Sequence, residues 1–325
     1  MRTLITGAGL IGCQTARLLV ERGQEVVLLD KAPQPQHMAS VLPLQAVTVE
    51  TGDIGDRAAL LELVQRQRIT QVVHTAAALS TAIRREPALA ADVNFMGTVN
   101  VLEAARLQGL RRVVCASSTT VYYPIFHRPQ AQAIDEDFAF HSVSERPGSL
   151  YAASKLAGEF FAQHYAQALG VDAVVLRYSA VLGLWAGPNH SVPGCLMAQL
   201  LGQGAAGGRV HVDDPLLMWR GGEDFIDFRE VARANVAALD VPALPSRVYT
   251  IASGRMARFD EFVDAARALN PQLEISHALI PDTGFAGFAH ARELPFDVSR
   301  ARAELGFAAR HDLLDSLRAA QPWVG

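Results

Sequence analysis

The chain of 325 residues has little excess charge, few cysteines and no long apolar run. Its 33 acidic and 29 basic residues leave a net charge of −4, which excludes a strongly basic nucleic-acid-binding protein. No apolar run reaches the ~20 residues that span a bilayer. A strand-like run begins at Thr3 with only Arg2 as a preceding charge, so no secretory signal is expected. These absences predict a cytoplasmic protein that binds neither membrane nor nucleic acid.

The sequence is also poor in lysine and in metal-binding patterns. Cys13, Cys115 and Cys195 are far apart and odd in number, which suits thiols in a reducing compartment better than disulfides or a zinc site. The ten histidines show no metal-ligand spacing, so we predict no metal. The basic residues are 27 arginines and only two lysines, Lys31 and Lys155. A lysine in so arginine-rich a chain is expected where a compact ammonium with a tunable pKa is needed.

Short apolar runs alternate with helical segments in the first half of the chain. Continuous Val, Leu and Ile runs are typical of strands buried on both faces of a sheet. Their alternation with helices predicts an α/β fold, a doubly wound parallel sheet of the Rossmann type. The expected strands are 2–6, 25–29, 46–50, 71–75, 112–116 and 173–177, and the expected helices lie near 10–22, 56–67, 92–108 and 150–169.

The composition of the chain changes after residue 178, and we predict that a smaller C-terminal lobe, which binds substrate, begins there. Residues 183–222 are rich in glycine and proline and carry Trp185 and Trp219. The predicted division is 1–178 for a dinucleotide-binding domain, to which 225–251 returns, and 179–325 for the substrate lobe. Short elements are expected at 225–228, 230–239, 247–251, 259–269, 299–305 and 312–320.

A glycine pattern lies between the first predicted strand and the first predicted helix. The residues concerned are Gly7, Gly9, Leu10, Ile11 and Gly12. Such glycines allow a tight turn and close approach of the backbone to a pyrophosphate, whose charge is favoured by the N–H groups at the helix start. Asp30 ends the second strand, where a carboxylate would hold the ribose hydroxyls of an adenine dinucleotide. We therefore predict a dinucleotide site with NAD rather than NADP, because Asp30 would repel a 2′-phosphate.

Three neighbours of this expected site have alternative interpretations. Lys31 either softens the preference for NAD or is a solvated lysine at a strand end. Asp53 either accepts a hydrogen bond from the adenine amino group, with Ile54 packed on the ring, or caps the helix that follows.

Tyr151 and Lys155 open a predicted helix and are four residues apart, which places them on one face. A free tyrosine has a pKa of ~10. A neighbouring ammonium lowers that pKa, so we expect Tyr151 to act as an acid/base group near neutral pH. Ser118, at the carboxyl end of a strand, is expected to hold the substrate oxygen, with Thr119 as the next candidate. Alternatively, these hydroxyls only cap the turn.

These motifs occur in an order that resembles the extended short-chain dehydrogenase/reductase superfamily, in its NAD-dependent epimerase/dehydratase branch. Further parts of the resemblance are His74-Thr75-Ala76-Ala77, Asn94 and Leu176-Arg177-Tyr178. The resemblance is strong over residues 1–180 and loose over the rest of the chain. It implies that NAD takes a hydride from a secondary alcohol carbon, that Tyr151 removes the hydroxyl proton, and that Lys155 also binds the nicotinamide ribose.

The same resemblance implies supporting roles and an assembly. Asn94 would support the central helix, while Ala76 and Tyr178 would line the cofactor channel. Members of the family commonly form homodimers through the helix near 92–108 and the helix that carries Tyr151.

Departures from the family pattern narrow the activity. The glycine pattern is one residue shorter than is usual in this branch. Thr119 and Thr120 stand where dehydratases carry acidic residues, so dehydration is not expected. Glu223 stands where nucleotide-sugar epimerases have an arginine that binds the diphosphate, and Ala180 where they tend to have an asparagine. Arg220, three residues before Glu223, keeps the epimerase alternative open.

We therefore predict an NAD-dependent dehydrogenase or reductase that acts on a small sugar, polyol or sugar acid. The alternative is a nucleotide-sugar epimerase with tightly bound NAD, and a third hypothesis is a non-catalytic NAD-sensing protein. Trp185 and Arg220 are candidate substrate contacts, although a core position suits the tryptophan as well. Segment 123–149 either covers the substrate or is a surface loop.

Overall fold

Seven parallel strands form the central sheet, in the spatial order 248–251, 173–178, 112–118, 71–74, 2–6, 25–30 and 48–51. The computed structural model describes residues 1–125, 134–136, 149–205 and 208–323. The strands are β1 (Arg2–Thr6), β2 (Glu25–Asp30), β3 (Thr48–Thr51), β4 (Gln71–His74), β5 (Arg112–Ser118), β6 (Ala173–Tyr178), β7 (Ala180–Leu182), β8 (Arg209–Val212), β9 (Glu223–Asp227), β10 (Val248–Ile251), β11 (Met256–Ala257) and β12 (Glu274–His277). The predicted doubly wound parallel sheet is confirmed.

Helices cover both faces of this sheet, and further helices belong to the C-terminal part of the chain. They are α1 (Leu10–Glu21), α2 (Pro35–Met38), α3 (Arg57–Arg66), α4 (Ser80–Arg85), α5 (Met96–Gln108), α6 (Leu150–Ala168), α7 (Val192–Ala205), α8 (Phe228–Asp240), α9 (Phe259–Leu269), α10 (Ser299–Leu305) and α11 (Leu313–Ala320). A π-helical turn, Ala90–Phe95, leads into α5. No helix within the described ranges combines the length and the apolar character that a bilayer span requires.

Alternate side chains of each buried strand enter the two cores on either side of the sheet, as the pleat requires. In β1, Ile5 packs in the core that contains α1, α8 and α10, whereas Leu4 packs in the core that contains α3, α5 and α6. The strand order reverses between β4 and β1, and ligands of such sheets bind where the carboxyl ends of the strands diverge. The topology therefore directs the site to the ends of β1, β4 and β5.

An aromatic cluster forms the core of the C-terminal lobe. Trp219 makes edge-to-face contacts with four phenylalanine rings, those of Phe225, Phe259, Phe262 and Phe285. The glycine-rich stretch 183–222 contains α7, a helix that we did not predict. It forms because Leu196, Met197 and Leu200 are buried against this lobe despite the neighbouring glycines.

The division into two lobes at residue 178 stays a prediction, and the topology bears on it. β10 joins the central sheet beside β6, and α8 packs against α1, so much of 225–251 lies with the first lobe. β9, in contrast, pairs with β7 and β11 in a small separate sheet. Most of segment 123–149, and the prediction made for it, lies outside the described residues.

His74, at the end of β4, is a buried neutral group. Its Nδ1 lies 2.7 Å from Thr6 Oγ1 and its Nε2 3.1 Å from Thr98 Oγ1. The Thr98 hydroxyl donates to the Asn94 carbonyl, so it accepts from His74 Nε2–H. Burial, with a smaller contribution from Lys155, lowers the pKa of His74 from its usual 6.5 to about 3.

This lowered pKa predicts a loss of stability in mild acid. Below pH 6.5 the unfolded chain binds a proton at His74 that the folded chain does not bind. The stability that the neutral His74 contributes is therefore complete above pH 6.5 and is lost as the pH falls towards 3. Between pH 7 and pH 5 the free energy of unfolding should fall by about 2 kcal/mol more in the wild type than in His74→Gln. Denaturant unfolding at several pH values measures this difference. Parallel pH slopes for the two proteins would contradict it.

Candidate active site

The carboxyl ends of the strands open into one cavity of about 590 Å³. Most of the site residues predicted from the sequence line it: Gly7, Gly9, Leu10, Ile11, Gly12, Asp30, Asp53, Ile54, Ala76, Ser118, Thr119, Tyr151, Tyr178 and Trp185. Asn94, Lys155 and Arg220 are not among the lining residues. The fold thus brings the glycine turn and the Ser118–Tyr151 pair to a single cavity.

Each glycine of the turn has its own steric requirement. Gly7 has a φ of +87°, and a Cβ there would lie 2.8 Å from the Ala76 nitrogen. At Gly12 a Cβ would lie 1.9 Å from the Gly7 carbonyl oxygen. A Cβ at Gly9 would have no atom within 4 Å, so the space in front of α1 is open there. The N–H groups of the first turn of α1 have no acceptor within the helix. Open space before such donors suits the phosphates of a dinucleotide.

Asp30 is held at the end of β2 by two backbone amides. Its Oδ2 accepts from the Ala8 N–H (2.8 Å) and its Oδ1 from the Ala32 N–H (2.9 Å). A carboxylate has about four lone-pair positions, so capacity remains for two ribose hydroxyls. The contact with Ala8 also ties the glycine turn to the strand that bears the predicted ribose ligand.

The helix-cap alternative for Asp53 is wrong. The cap of α3 is Asp56, whose Oδ1 accepts from the Ala59 N–H. Asp53 instead accepts from the Gly55 N–H (2.8 Å) and forms an ion pair with Lys31 Nζ (2.8 Å). The two groups stabilise each other in their charged forms, because the hydrogen bond to Lys31 lowers the pKa of Asp53.

Two buried asparagines hold the loops that border the cavity. Asn94 Oδ1 accepts from the Ala78 N–H (2.7 Å), and Asn94 Nδ2 donates to the Ala78 carbonyl (3.0 Å). Asn94 sits in the π-helical turn, and its Nδ2 is also 3.2 Å from Ser154 Oγ on α6. Asn100, which the sequence analysis missed, donates to the Ile54 carbonyl (2.9 Å). Asn94 therefore acts on the loop after β4 from outside the cavity.

α6 places Tyr151 and Lys155 against the end of β5. Its N-cap is Ser149, whose Oγ accepts from the Ala152 N–H. One turn into the helix, Lys155 is buried and its Nζ donates to the Ala116 carbonyl (3.0 Å). The same Nζ lies 5.9 Å from the centre of the Tyr151 ring. Lys155 thus joins α6 to β5 two residues before Ser118.

The sequence analysis missed a buried ion pair that lies next to Tyr151 and Lys155 along α6. Glu159, one further turn along α6, pairs with Arg177 of β6 (Nη2–Oε2, 2.6 Å). It also accepts from the hydroxyl of Ser117, the neighbour of Ser118. Arg177 Nη1 donates in addition to the Tyr122 hydroxyl (2.7 Å). The spacing of eight residues between Tyr151 and Glu159 was the available signal, because it places both on one helix face.

The expected lowering of the pKa of Tyr151 is wrong, because the pKa is raised instead. Burial raises the pKa of Tyr151 to about 12, and a hydrogen bond with Ser118 only opposes that rise. Burial also lowers the pKa of Lys155 to about 8, with Cys115 and Glu159 acting the other way. The physical reason is that desolvation disfavours the charged form of both groups and is the largest effect on each.

The remaining predicted substrate contacts lie in different places. Trp185 lines the cavity, and its ring packs edge-to-face on His37 (5.8 Å between centres), so it lies towards the side of β2. Arg220 is exposed and pairs with Asp282 (2.6 Å) away from the cavity. Thr119 is buried at the lining and follows Ser118 directly.

A model of the NAD dependent epimerase/dehydratase family matches residues 3–252 of this chain. The chain belongs to this family. UDP-glucuronate 4-epimerase 1 of Arabidopsis thaliana is 25% identical over an alignment 350 residues long, which covers 98% of this chain and 76% of that protein.

Two solved structures extend the comparison. The UDP-glucose 4-epimerase of Thermus thermophilus, in complex with NAD, is 25% identical with a TM-score of 0.79, covering 100% of this chain and 99% of that one. The GalE-like L-threonine dehydrogenase of Cupriavidus necator, in its holo form, is 27% identical with a TM-score of 0.81, covering 99% of each chain.

Membership settles the class of this protein and its cofactor. It is an enzyme of the NAD-dependent epimerase/dehydratase family, and the predicted use of NAD is confirmed. The glycine turn, the fixed Asp30 carboxylate and the open space at Gly9 fit that cofactor. Among the described residues, no group of His, Cys, Asp and Glu is placed to hold a metal ion.

The open space at Gly9 predicts a substitution that separates binding from folding. Gly9 has an extended conformation that alanine adopts without strain, and its Cβ would touch nothing in the protein. Gly9→Ala should therefore change the free energy of unfolding by less than ~1 kcal/mol. It should weaken NADH binding at least about tenfold, because the methyl group enters the phosphate space. Fluorescence titration with NADH measures the affinity.

Gly12→Ala is the matched control. Its Cβ would collide with the Gly7 carbonyl, so this variant should lose stability as well as affinity. Unchanged NADH affinity in Gly9→Ala would show that the phosphates lie elsewhere.

Proposed function

We propose that the enzyme transfers a hydride between NAD and a secondary alcohol or ketone of a small sugar, polyol or sugar acid. The observation that supports this most is that Ser118 and Tyr151 line the same cavity as the glycine turn. Lys155, one of only two lysines in the chain, lies one helical turn from Tyr151. In the reaction, R₂CHOH and NAD⁺ give R₂C=O, NADH and a proton.

The roles follow from what each side chain can donate or accept. When bound, NAD accepts or supplies the hydride at the substrate carbon. Tyr151 Oη donates its proton to the ketone oxygen during reduction, and its phenolate form takes the hydroxyl proton during oxidation. Ser118 Oγ holds the substrate oxygen beside Tyr151. Because burial keeps the pKa of Tyr151 near 12, the phenol is protonated at neutral pH, which suits the delivery of a proton to a ketone.

Charges outside the cavity support a substrate without a diphosphate. Glu223, which replaces the arginine of nucleotide-sugar epimerases, is buried and accepts from Arg292 Nη2 (2.7 Å). The guanidinium of Arg292 also lies 3.9 Å from the centre of the Phe296 ring. Neither side chain lines the cavity, and Arg220 pairs with Asp282 at the surface. The cationic groups of this region are thus engaged within the protein.

A nucleotide-sugar epimerase with tightly bound NAD is the second candidate. It is favoured by the similarity to UDP-glucuronate and UDP-glucose 4-epimerases. The similarity to a threonine dehydrogenase over the whole chain favours the first candidate. Net reduction of added NAD distinguishes the two, because an epimerase returns the hydride to its substrate.

Substitution of the phenol tests the proposed chemistry. With NAD and a panel of polyols, sugars and sugar acids, the wild type should form NADH, measured by absorbance. Tyr151→Phe should lower kcat by about 10²–10⁴-fold because it removes the group that exchanges the proton. NADH affinity should stay unchanged, since the hydroxyl contributes to chemistry.

Tyr165→Phe is the matched control on the same helix. Tyr165 donates to Glu103 and does not line the cavity, so this variant should keep its activity. If the enzyme turned over a UDP-sugar but formed no NADH with any alcohol of the panel, the ranking of the two candidates would be reversed.

A homodimer is the proposed assembly, and the proposed compartment is the cytoplasm, where the three free thiols would stay reduced. Large apolar side chains are exposed on the two adjacent helices α5 and α6. They are Met96 and Leu107 on α5, and Leu150, Phe160 and Phe161 on α6. An exposed apolar patch of this kind is typical of a protein–protein contact. A second copy of the chain would cover it.

A charge within that patch should separate the subunits. Phe160→Glu should convert a dimer to a monomer, because burying the carboxylate opposite a second subunit is costly. Light scattering coupled to size-exclusion chromatography measures the mass. Leu279→Glu is the control, since Leu279 is 94% exposed on the C-terminal lobe, and it should stay dimeric. A monomeric wild type would contradict the assembly.

A further inference from the structure

One arginine of the cavity has no role in the chemistry derived above. Arg84 lies in α4, one turn after Ser80, and both side chains line the cavity that contains Ser118 and Tyr151. Arg84 and the next residue, Arg85, are both exposed, but Arg85 does not line the cavity. α4 packs against α6, the helix that carries Tyr151. Arg84 is therefore a cation at the same cavity as the reacting groups.

A turn of the C-terminal lobe accepts one hydrogen bond from this guanidinium. Arg84 Nη2 donates to the Ala286 carbonyl in a long hydrogen bond of 3.4 Å. Ala286 has a left-handed backbone (φ 56°), which costs energy for a residue other than glycine and is common at functional sites. The turn is closed by the Gly284 N–H on the Phe288 carbonyl (2.8 Å). Phe285 anchors it in the aromatic cluster around Trp219.

The same turn shows which end of the cavity Arg84 occupies. Phe288 packs in a small core with Val121 and Tyr122, which follow Ser118 closely in the chain. α4 also touches the segment before α7, through a hydrogen bond from Thr81 Oγ1 to the His190 carbonyl (3.3 Å). Arg84 thus lies where a turn of the C-terminal lobe contacts the segment that follows β5.

Charge is unevenly distributed along the cavity. Among the described residues that line it, four carry a full charge, namely Asp30, Lys31, Asp53 and Arg84. The first three belong to the ribose end, where Lys31 and Asp53 pair with each other. No carboxylate of the described residues lies within ion-pair distance of Arg84. Its single long bond to a neutral carbonyl leaves most of its five N–H donors available to an anion.

We propose that Arg84 binds a carboxylate of the substrate, which makes the substrate a small hydroxy acid rather than a neutral polyol. This inference rests on the proposed hydride transfer at Ser118 and Tyr151. A guanidinium binds a carboxylate through two parallel hydrogen bonds, which fixes direction as well as position. The acid group would lie at Arg84 while the secondary alcohol faces Tyr151.

Matched pairs of substrates test this assignment in the wild type. Each pair differs only in a carboxylate that replaces CH₂OH: D-gluconate and D-glucitol, D-erythronate and erythritol, L-threonine and L-threoninol. NADH formation gives kcat/KM for each. At least one acid should exceed its alcohol by ~10-fold or more, the effect of one charge-assisted contact. If no acid is preferred to its alcohol, the inference is wrong.

Variants of α4 then assign the preference to Arg84. Arg84→Gln should raise KM for the preferred acid about 10- to 100-fold with a smaller change in kcat, because a binding contact is lost. Arg84→Lys should retain part of the affinity through its charge. Arg85→Gln is the matched control and should resemble the wild type. The kcat/KM of the neutral partner should stay within twofold in all three variants.

Two further outcomes would overturn the inference while the proposed function survives. Arg84→Gln could lower kcat/KM for acid and alcohol alike, or it could weaken NADH binding, which would assign Arg84 to the cofactor. Failure of the proposed function looks different, since neither acids nor alcohols would then reduce NAD while a UDP-sugar is interconverted.

Discussion

The site depends on how α6 is fixed to the carboxyl end of β5. Three contacts do this, one per helical turn: Tyr151 bonds with Ser118, Lys155 donates to the Ala116 carbonyl, and Glu159 accepts from Ser117. Arg177 of β6 forms an ion pair with Glu159 and compensates its charge. A buried pair of this kind need not add net stability, but removal of one partner leaves an uncompensated charge. The ion pair therefore fixes the geometry in which a phenol and a serine hydroxyl meet.

Burial controls the acid/base character of the same groups. It raises the pKa of Tyr151 and lowers that of Lys155, because it disfavours the charged form of each group. Glu159 partly restores the ammonium, which gives the ion pair an electrostatic role beside its positional one. The end of the cavity near the glycine turn differs, because Lys31 and Asp53 form an ion pair there and Asp30 accepts hydrogen bonds from backbone amides. The cavity thus combines charged groups near the glycine turn with buried, pKa-shifted groups at the Ser118–Tyr151 pair.

Features set by local sequence could be predicted, and features set by distant contacts could not. The buried strands, the glycine turn and the spacing of Tyr151 and Lys155 are local, and the structure places them as expected. The π-helical turn at Asn94 depends on a loop sixteen residues earlier in the chain. Asp53 was a candidate N-cap of α3 although the cap is Asp56, because an aspartate at either position is an equally good cap residue in sequence. The pKa of Tyr151 was misjudged because a spacing of four residues shows proximity but not burial.

The central claim is that the nicotinamide ring lies beside the Ser118–Tyr151 pair. A crystal structure of the enzyme with NADH and a non-reactive substrate analogue measures this most directly. The account predicts that the nicotinamide C4 faces the analogue, with Tyr151 Oη and Ser118 Oγ both within hydrogen-bond distance of the same analogue oxygen. A nicotinamide ring placed away from Tyr151 would contradict it.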